Sequence, residues 1–294
     1  MFRVGIIGSD NSHALAFSKL INIKDNKTGE FLYPDIKITG IYGLDKKQTE
    51  DVAREGRIEF IADKPEDFMG NVDAVMVVFR HGDLHAQYAL PFIEAGIPTW
   101  IDKPFAIKIS DVKQLIEAAD RKNTLLTGGS ACKYSYDVLM LKNSLENDAS
   151  LGNVMSGALN FPANLDSEYG GMFFYGPHMA EMLMAIFGFD VKSVISSVNN
   201  GNVIAIAKYD RYQVVLNFSK ESKQYFGIIY GEKKTVIREI DISIIYRLGF
   251  EKFAQMLHTG KRPLPLEQLL APTVLLNAIV KSVETGREVF LNEL

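Results

Sequence analysis

An α/β fold is predicted, with a doubly wound parallel sheet first and an α+β domain with an open, mostly antiparallel sheet after it. Three observations predict it. Strand-type and helix-type segments alternate through the first ~125 residues. A glycine turn, GSDNSH, joins the first strand to the first helix. Past residue 191 the pattern changes to short apolar segments separated by turn signals.

Residues 3–7 form a continuous apolar run of buried-strand type, and 14–23 carry apolar positions at helical spacing. Residues 36–42 read as a second strand and 48–55 as a helix. Residues 74–79 are a third strand, followed by a helix over 85–94 that ends at Gly96. A short strand at 99–101 precedes a helix over 110–122 with Ser110 as its N-cap, and 125–128 is a fifth strand. Such alternation requires a parallel sheet covered on both faces. Between 191 and 242, Asn199-Asn200-Gly201, Asp210-Arg211 and Gly231-Glu232 punctuate what reads as an antiparallel meander. Helices flank it, one after Pro177 and one over 266–285 that ends at Gly286. The expected division is 1–125 and 126–294, two cores in 294 residues.

A net charge of −4 supplies no basic stripe, so nucleic acid is not an expected partner. Cys132 is the single cysteine, which excludes an intrachain disulfide and fits a reducing compartment. The N-terminus lacks a signal-type apolar region, and runs such as 74–79 fall short of the ~20 residues of a membrane span. A cytoplasmic protein without a membrane partner is expected. Neither Cys/His metal spacing nor a hydrolase or P-loop signature is present.

In a G-x-G-x-x-G turn the glycines let backbone approach a pyrophosphate at a helix N-terminus. Gly8 fills the first position, Asp10 the second and His13 the third. Gly8, Ser9, Asp10, Asn11, Ser12 and His13 are therefore the candidate cofactor turn. Asp10 either sets a carboxylate beside the phosphates or caps the helix.

With this layout, three motifs in order resemble the glucose-fructose oxidoreductase/inositol dehydrogenase/MocA (Gfo/Idh/MocA) family over nearly the whole chain. They are the GIIGSDNSH turn, Ile101-Asp102-Lys103-Pro104, which is similar to the family's Glu-Lys-Pro, and the segment from Gly170-Gly171 to Pro177-His178. Leu84-His85-Ala86 and Glu284-Thr285-Gly286-Arg287 support the match. The resemblance implies a Rossmann domain, NAD or NADP as cofactor and a sugar, cyclitol or similar polyol as substrate.

It also implies that Lys103 holds the substrate alcohol, where an ammonium stabilises developing alkoxide charge. A surface lysine is the alternative. His178, placed by the sequence at a helix start where the dipole lowers an imidazole pKa, would exchange the alcohol proton. Capping or packing is the alternative there. The two, 75 positions apart, would have to serve one carbinol. Glu181 lies within i,i+3 reach and would orient the ring, unless it is an exposed first-turn glutamate.

Phe174 stands where relatives carry an aspartate of the catalytic group. Gly43 stands where an acidic residue would bind the ribose 2′-OH, with Asp45 two residues on and Lys46 and Lys47 able to attract a 2′-phosphate. Arg80 and His81 would meet the cofactor or neutralise Asp10, or be an ordinary surface pair. His85 and Asp102 complete the cofactor set. Lys133, Tyr134, Tyr136 and Tyr175 offer aromatic faces and polar tips to a polyol, or interface packing.

Three functions follow: an NAD(P)-dependent oxidoreductase, a non-catalytic regulator of the same fold, or an NAD-dependent lyase or glycosidase. A homodimer or homotetramer formed through the C-terminal sheet is expected, because alternating residues in 203–208 and 214–218 give that sheet two apolar faces.

Overall fold

In a computed structural model that describes residues 1–294, the apolar runs of the first half become a six-stranded parallel sheet. The elements are β1 (Phe2–Ile7), α1 (Ser12–Asn22), β2 (Ile36–Tyr42), α2 (Lys46–Gly56), β3 (Phe60–Ile61), β4 (Ala74–Val77), α3 (Asp83–Glu94), β5 (Thr99–Ile101), α4 (Ile109–Arg121) and β6 (Leu126–Gly128). Strand order is β3-β2-β1-β4-β5-β6, and every pair is parallel. The order reverses between β1 and β4, the kind of switch point at which open α/β sheets bind ligands. Val4, Ile6, Ile7 and all of β4 are fully buried, each large side chain contributing roughly 1.5–3 kcal/mol. Ser110 lies inside α4 rather than capping it, and β3 is two exposed residues that no periodicity announces.

The second half continues with α5 (Tyr136–Asn147), β7 (Val154–Phe161), α6 (Met172–Phe187), β8 (Ser193–Asn199), β9 (Asn202–Lys208), β10 (Gln213–Phe218), β11 (Phe226–Gly231), β12 (Thr235–Glu239), α7 (Ile245–Thr259), α8 (Leu266–Thr285) and β13 (Val289–Phe290). The seven-stranded sheet runs β12-β11-β7-β10-β9-β8-β13. The expected simple meander is corrected, because β7 inserts between β11 and β10 and pairs in parallel with β10. Leu159, Phe161, Val214, Leu216 and Phe218 face a core shared with Met179, Met182, Leu183 and Ile186 of α6 and Leu275, Leu276 and Ile279 of α8. By length and composition α8 could cross a membrane, but half of its apolar window is buried inside the protein.

The other face of this sheet has its own order. Ile195, Ile206, Val215, Ala158, Ile228 and Ile237 stand in direct register across six strands. Their alternation with buried neighbours turns this row away from the core, and Ile195 and Ile237 are exposed.

Two units result, Met1–Ala106, Ser110–Gly129 and Tyr246–Leu269 in one, and Ile107–Ile109, Ser130–Ile245 and Leu270–Leu294 in the other. This differs from the expected 1–125 and 126–294. Most of α7 packs with the first unit, where Phe250, Phe253 and Met256 are buried in the same cluster as Phe17 and Trp100.

Candidate active site

In the first unit, the C-terminal ends of β1, β4 and β5 carry the Gly8 turn, the loop at Phe79–Arg80 and Asp102-Lys103. Gly8 has φ +111°, and a Cβ there would lie 2.6 Å from the Phe79 backbone nitrogen. Only glycine permits this approach of turn to strand. Asn11 is the N-cap of α1, its side chain accepting from His13 N–H at 3.3 Å. The same carboxamide donates to Asp102 Oδ2 at 3.5 Å, and His13 Nδ1 lies 2.5 Å from that oxygen. His13 also packs edge-on against Tyr246.

These contacts correct several expectations. Asp102 is buried, and its carboxylate ties the turn to β5 instead of reaching for a cofactor. Burial works against its charge, but His13 and then Lys103 more than offset this and hold its pKa below the ordinary carboxylate value. His85 is likewise no cofactor ligand, since Nδ1 lies 2.6 Å from Pro104 O and Nε2 2.8 Å from Phe79 O. Burial pushes the His85 pKa down, opposed by Asp102 and the two carbonyls. His81 accepts from Asp83 N–H at the start of α3. Asp45 caps α2 through Gln48 N–H at 2.7 Å. The carboxylate of Asp10 accepts from the backbone N–H of Arg80, 3.3 Å from each oxygen.

Gly43 has a packing reason that the sequence did not reveal. A Cβ at that position would lie 2.0 Å from Ser9 Oγ and 2.4 Å from Thr49 Oγ1, two hydroxyls bonded to each other at 2.9 Å. No side chain fits where an acidic ribose ligand was sought.

In the second unit the focus is His178. It is not at a helix N-terminus: α6 begins at Met172 with Gly171 as cap, so His178 is in the second turn, beyond the strong reach of the dipole. Its ring is buried. Nδ1 lies 2.6 Å from Ser130 Oγ and 3.3 Å from Cys132 Sγ. Phe161 packs 5.1 Å and Tyr175 5.9 Å from the ring, centroid to centroid.

Glu181 does not orient the histidine. Its carboxylate accepts from Lys133 Nζ at 2.8 Å and from Ser130 N–H at 3.0 Å. Lys133 is therefore a buried ion-pair partner of Glu181. Burial alone would depress its pKa, and Glu181 more than compensates, raising it above the ordinary lysine value. Tyr134 has the Lys133 ammonium 5.3 Å above its ring. Tyr136 is exposed and Tyr175 is 41% exposed.

A cleft of 490 Å³ beside Tyr175 is lined by Asn164, Asp166, Glu168, Tyr169, Phe174 and Lys220 among others. The ring of Phe174 lies between Tyr169 and Tyr175, at 5.0 and 4.7 Å. Ser130 is the residue sequence reasoning missed. Its only sequence signal is the N-cap position of a short 3₁₀ turn over Ala131–Tyr134. No group of three His, Cys, Asp or Glu side chains is gathered to hold a metal.

Residues 2–130 match the model of a family described as "Oxidoreductase family, NAD-binding Rossmann fold", GFO_IDH_MocA. The uncharacterized oxidoreductase YhhX of Escherichia coli (strain K12) is 23% identical over 219 residues, 68% of this chain and 63% of that protein. The chain thus spans less than two thirds of that relative's length. A probable dehydrogenase from Thermotoga maritima superposes with TM-score 0.83 at 18% identity, covering 99% of this chain and 100% of that one. The scyllo-inositol dehydrogenase of Lactobacillus casei, solved with NAD(H) and scyllo-inositol, gives 0.82 at 13% identity and 99% of both chains. At such identities the superpositions establish the fold.

Proposed function

We propose that this chain, whose residues 2–130 match the family model described as "Oxidoreductase family, NAD-binding Rossmann fold", is a Gfo/Idh/MocA oxidoreductase, an NAD(P)-dependent dehydrogenase of a sugar, cyclitol or related hydroxylated small molecule. One observation supports this above the rest. The Gly8 turn follows β1 at the switch point and Lys103 follows β5, one strand beyond β4, so both lie along the C-terminal edge of the parallel sheet where such folds bind ligands.

The donor set fits a dinucleotide pyrophosphate. Gly8 N–H is taken by Tyr42 O, His13 N–H by Asn11 Oδ1 and Ala14 N–H by Asn11 O. The N–H groups of Asp10, Asn11 and Ser12 lie between these at the start of α1, suited to an anion. Gly43 brings no carboxylate to repel a 2′-phosphate, so NAD and NADP are both accommodated. When bound, the nicotinamide supplies the hydride acceptor or donor.

The chain's residues supply the rest. The Lys103 ammonium stabilises negative charge on the reacting oxygen. His178, held through Nδ1, exchanges the proton at Nε2. Asn164, Asp166 and Tyr175 bind further hydroxyls in the cleft. The single cysteine, reduced and buried, suits a cytoplasmic setting.

We further propose that two copies pair through the open sheet face. The row from Ile195 to Ile237 crosses six strands, and an aliphatic stripe of that extent suits a homodimer or homotetramer interface.

A regulator of the same fold is the second reading, favoured by the inward commitment of Asp102, His13 and His85. Absorbance at 340 nm after mixing the protein with NAD+ or NADP+ and a panel of polyols decides between them. Net reduction over many turnovers is expected. Stoichiometric cofactor binding without turnover on any member would favour the regulator, or a lyase in which the cofactor ends unchanged.

A further inference from the structure

We infer that Ser130 is the positioning residue of His178, taking the orienting role for which Phe174 has no suitable group. The inference rests on the reading of His178 as the proton-exchanging group. Ser130 is fully buried and fixed at three points. Its backbone N–H donates to Glu181 Oε1 at 3.0 Å, its Oγ accepts from Cys132 N–H at 3.1 Å, and the same Oγ meets His178 Nδ1 at 2.6 Å. Glu181 and His178 are one helical turn apart on α6, so the Ser130 backbone is tied to the same helix that carries the ring, while Cys132 N–H holds its hydroxyl from the 3₁₀ turn. Glu181 is itself held by buried Lys133.

A hydroxyl can donate to Nδ1 or accept from it, so Ser130 follows the ring through either protonation state. A carboxylate at this position would favour the imidazolium by its charge, and a hydroxyl does not. Groups that meet the ring include Cys132 from the 3₁₀ turn, Tyr175 on α6, Phe161 on β7 and, beyond Ser130, the Lys133–Glu181 pair. Of these, the Cys132 thiol and the Tyr175 phenol are titratable, and Glu181 and Lys133 are charged.

The test follows two signals, one of which needs no substrate. Histidine-labelled protein, with His178 assigned through His178→Gln, reports the Nδ1 shift by ¹⁵N NMR across a pH titration. Ser130→Ala should move that shift and the His178 titration midpoint, Ser130→Thr should restore both, and Ser130→Asp should raise the midpoint. With NAD+ and the best polyol of the panel, Ser130→Ala should lower kcat ~10–100-fold, with KM changed less than about twofold, as displacement of a reacting group does. An unchanged Nδ1 signal in folded Ser130→Ala would overturn the inference, and so would a changed signal with kcat intact. Full activity in His178→Gln would instead overturn the parent reading, whatever the NMR shows.

Discussion

The turn at Gly8 and the cluster at His178 use polar residues in opposite ways. At the turn, Asn11, His13, Asp102 and His85 point at one another or at backbone carbonyls, and the polar side chains hold the loop rigid. What is left for a ligand there is backbone N–H. At the cluster, Ser130, Lys133 and Glu181 form a chain of hydrogen bonds that ends on a single imidazole. The first region is built to present main chain and the second to present one side chain. A motif match identifies residue types but does not say which of these uses each residue has.

The largest effects should come from removing the groups assigned to chemistry. Lys103→Met and His178→Ala are each expected to lower kcat/KM by ~10²–10⁴-fold, and the double variant by much less than the product. Additive losses in steady-state kinetics would separate the two residues into different steps.

Stability divides the regions next. Glu181→Ala removes the carboxylate that pairs with the buried Lys133 ammonium, a change that costs ~3–5 kcal/mol in comparable buried pairs. Urea unfolding should show that loss, and Glu181→Ala with Lys133→Met should recover part of it. Acid and alkali should act on different regions. Asp102 has a depressed folded pKa, so its contribution is present above the unfolded value of ~3.9 and disappears as pH falls through the folded one. Lys133 has a raised folded pKa, so its contribution is present below ~10.4 and is lost as pH rises through the folded value. Asp102→Asn should flatten the acid limb of the stability profile and leave the alkaline limb unchanged. Equal flattening of both limbs would contradict the division.

The open sheet face offers a third contrast. Ile206→Asp, in the middle of the aliphatic row, should shift the oligomer to monomer at tens of micromolar in light scattering. A monomeric parent protein would remove the proposed interface altogether.

Much of this was legible in advance, and the exceptions have physical causes. β2 at Ile36–Tyr42 and α8 at Leu266–Thr285 are read correctly because each has a clear period and a glycine at its end. α7 is not, because its apolar residues face a core built from the other end of the chain. The insertion of β7 beside β10 is a long-range pairing that no local pattern encodes. Lys103 and His178 stand out by motif, whereas Ser130 is one serine 48 positions from its partner, and only the folded chain joins them. Helical spacing placed Glu181 near His178, but the buried ammonium of Lys133, supplied by a separate segment, takes its carboxylate.

The smallest effect concerns Asp10. Its carboxylate is already bonded to Arg80 N–H, so Asp10→Gly should tighten dinucleotide binding only about 2–5-fold, the size of one charge near a helix N-terminus.

Titration calorimetry of the wild-type protein with NAD+ and NADH is the most direct test of the claim beneath all of these, that the backbone of the Gly8 turn holds a dinucleotide. One cofactor per chain is predicted, with affinity weakened when Gly8 is replaced by Ala. Absence of binding heat with both cofactors up to millimolar concentration would contradict it.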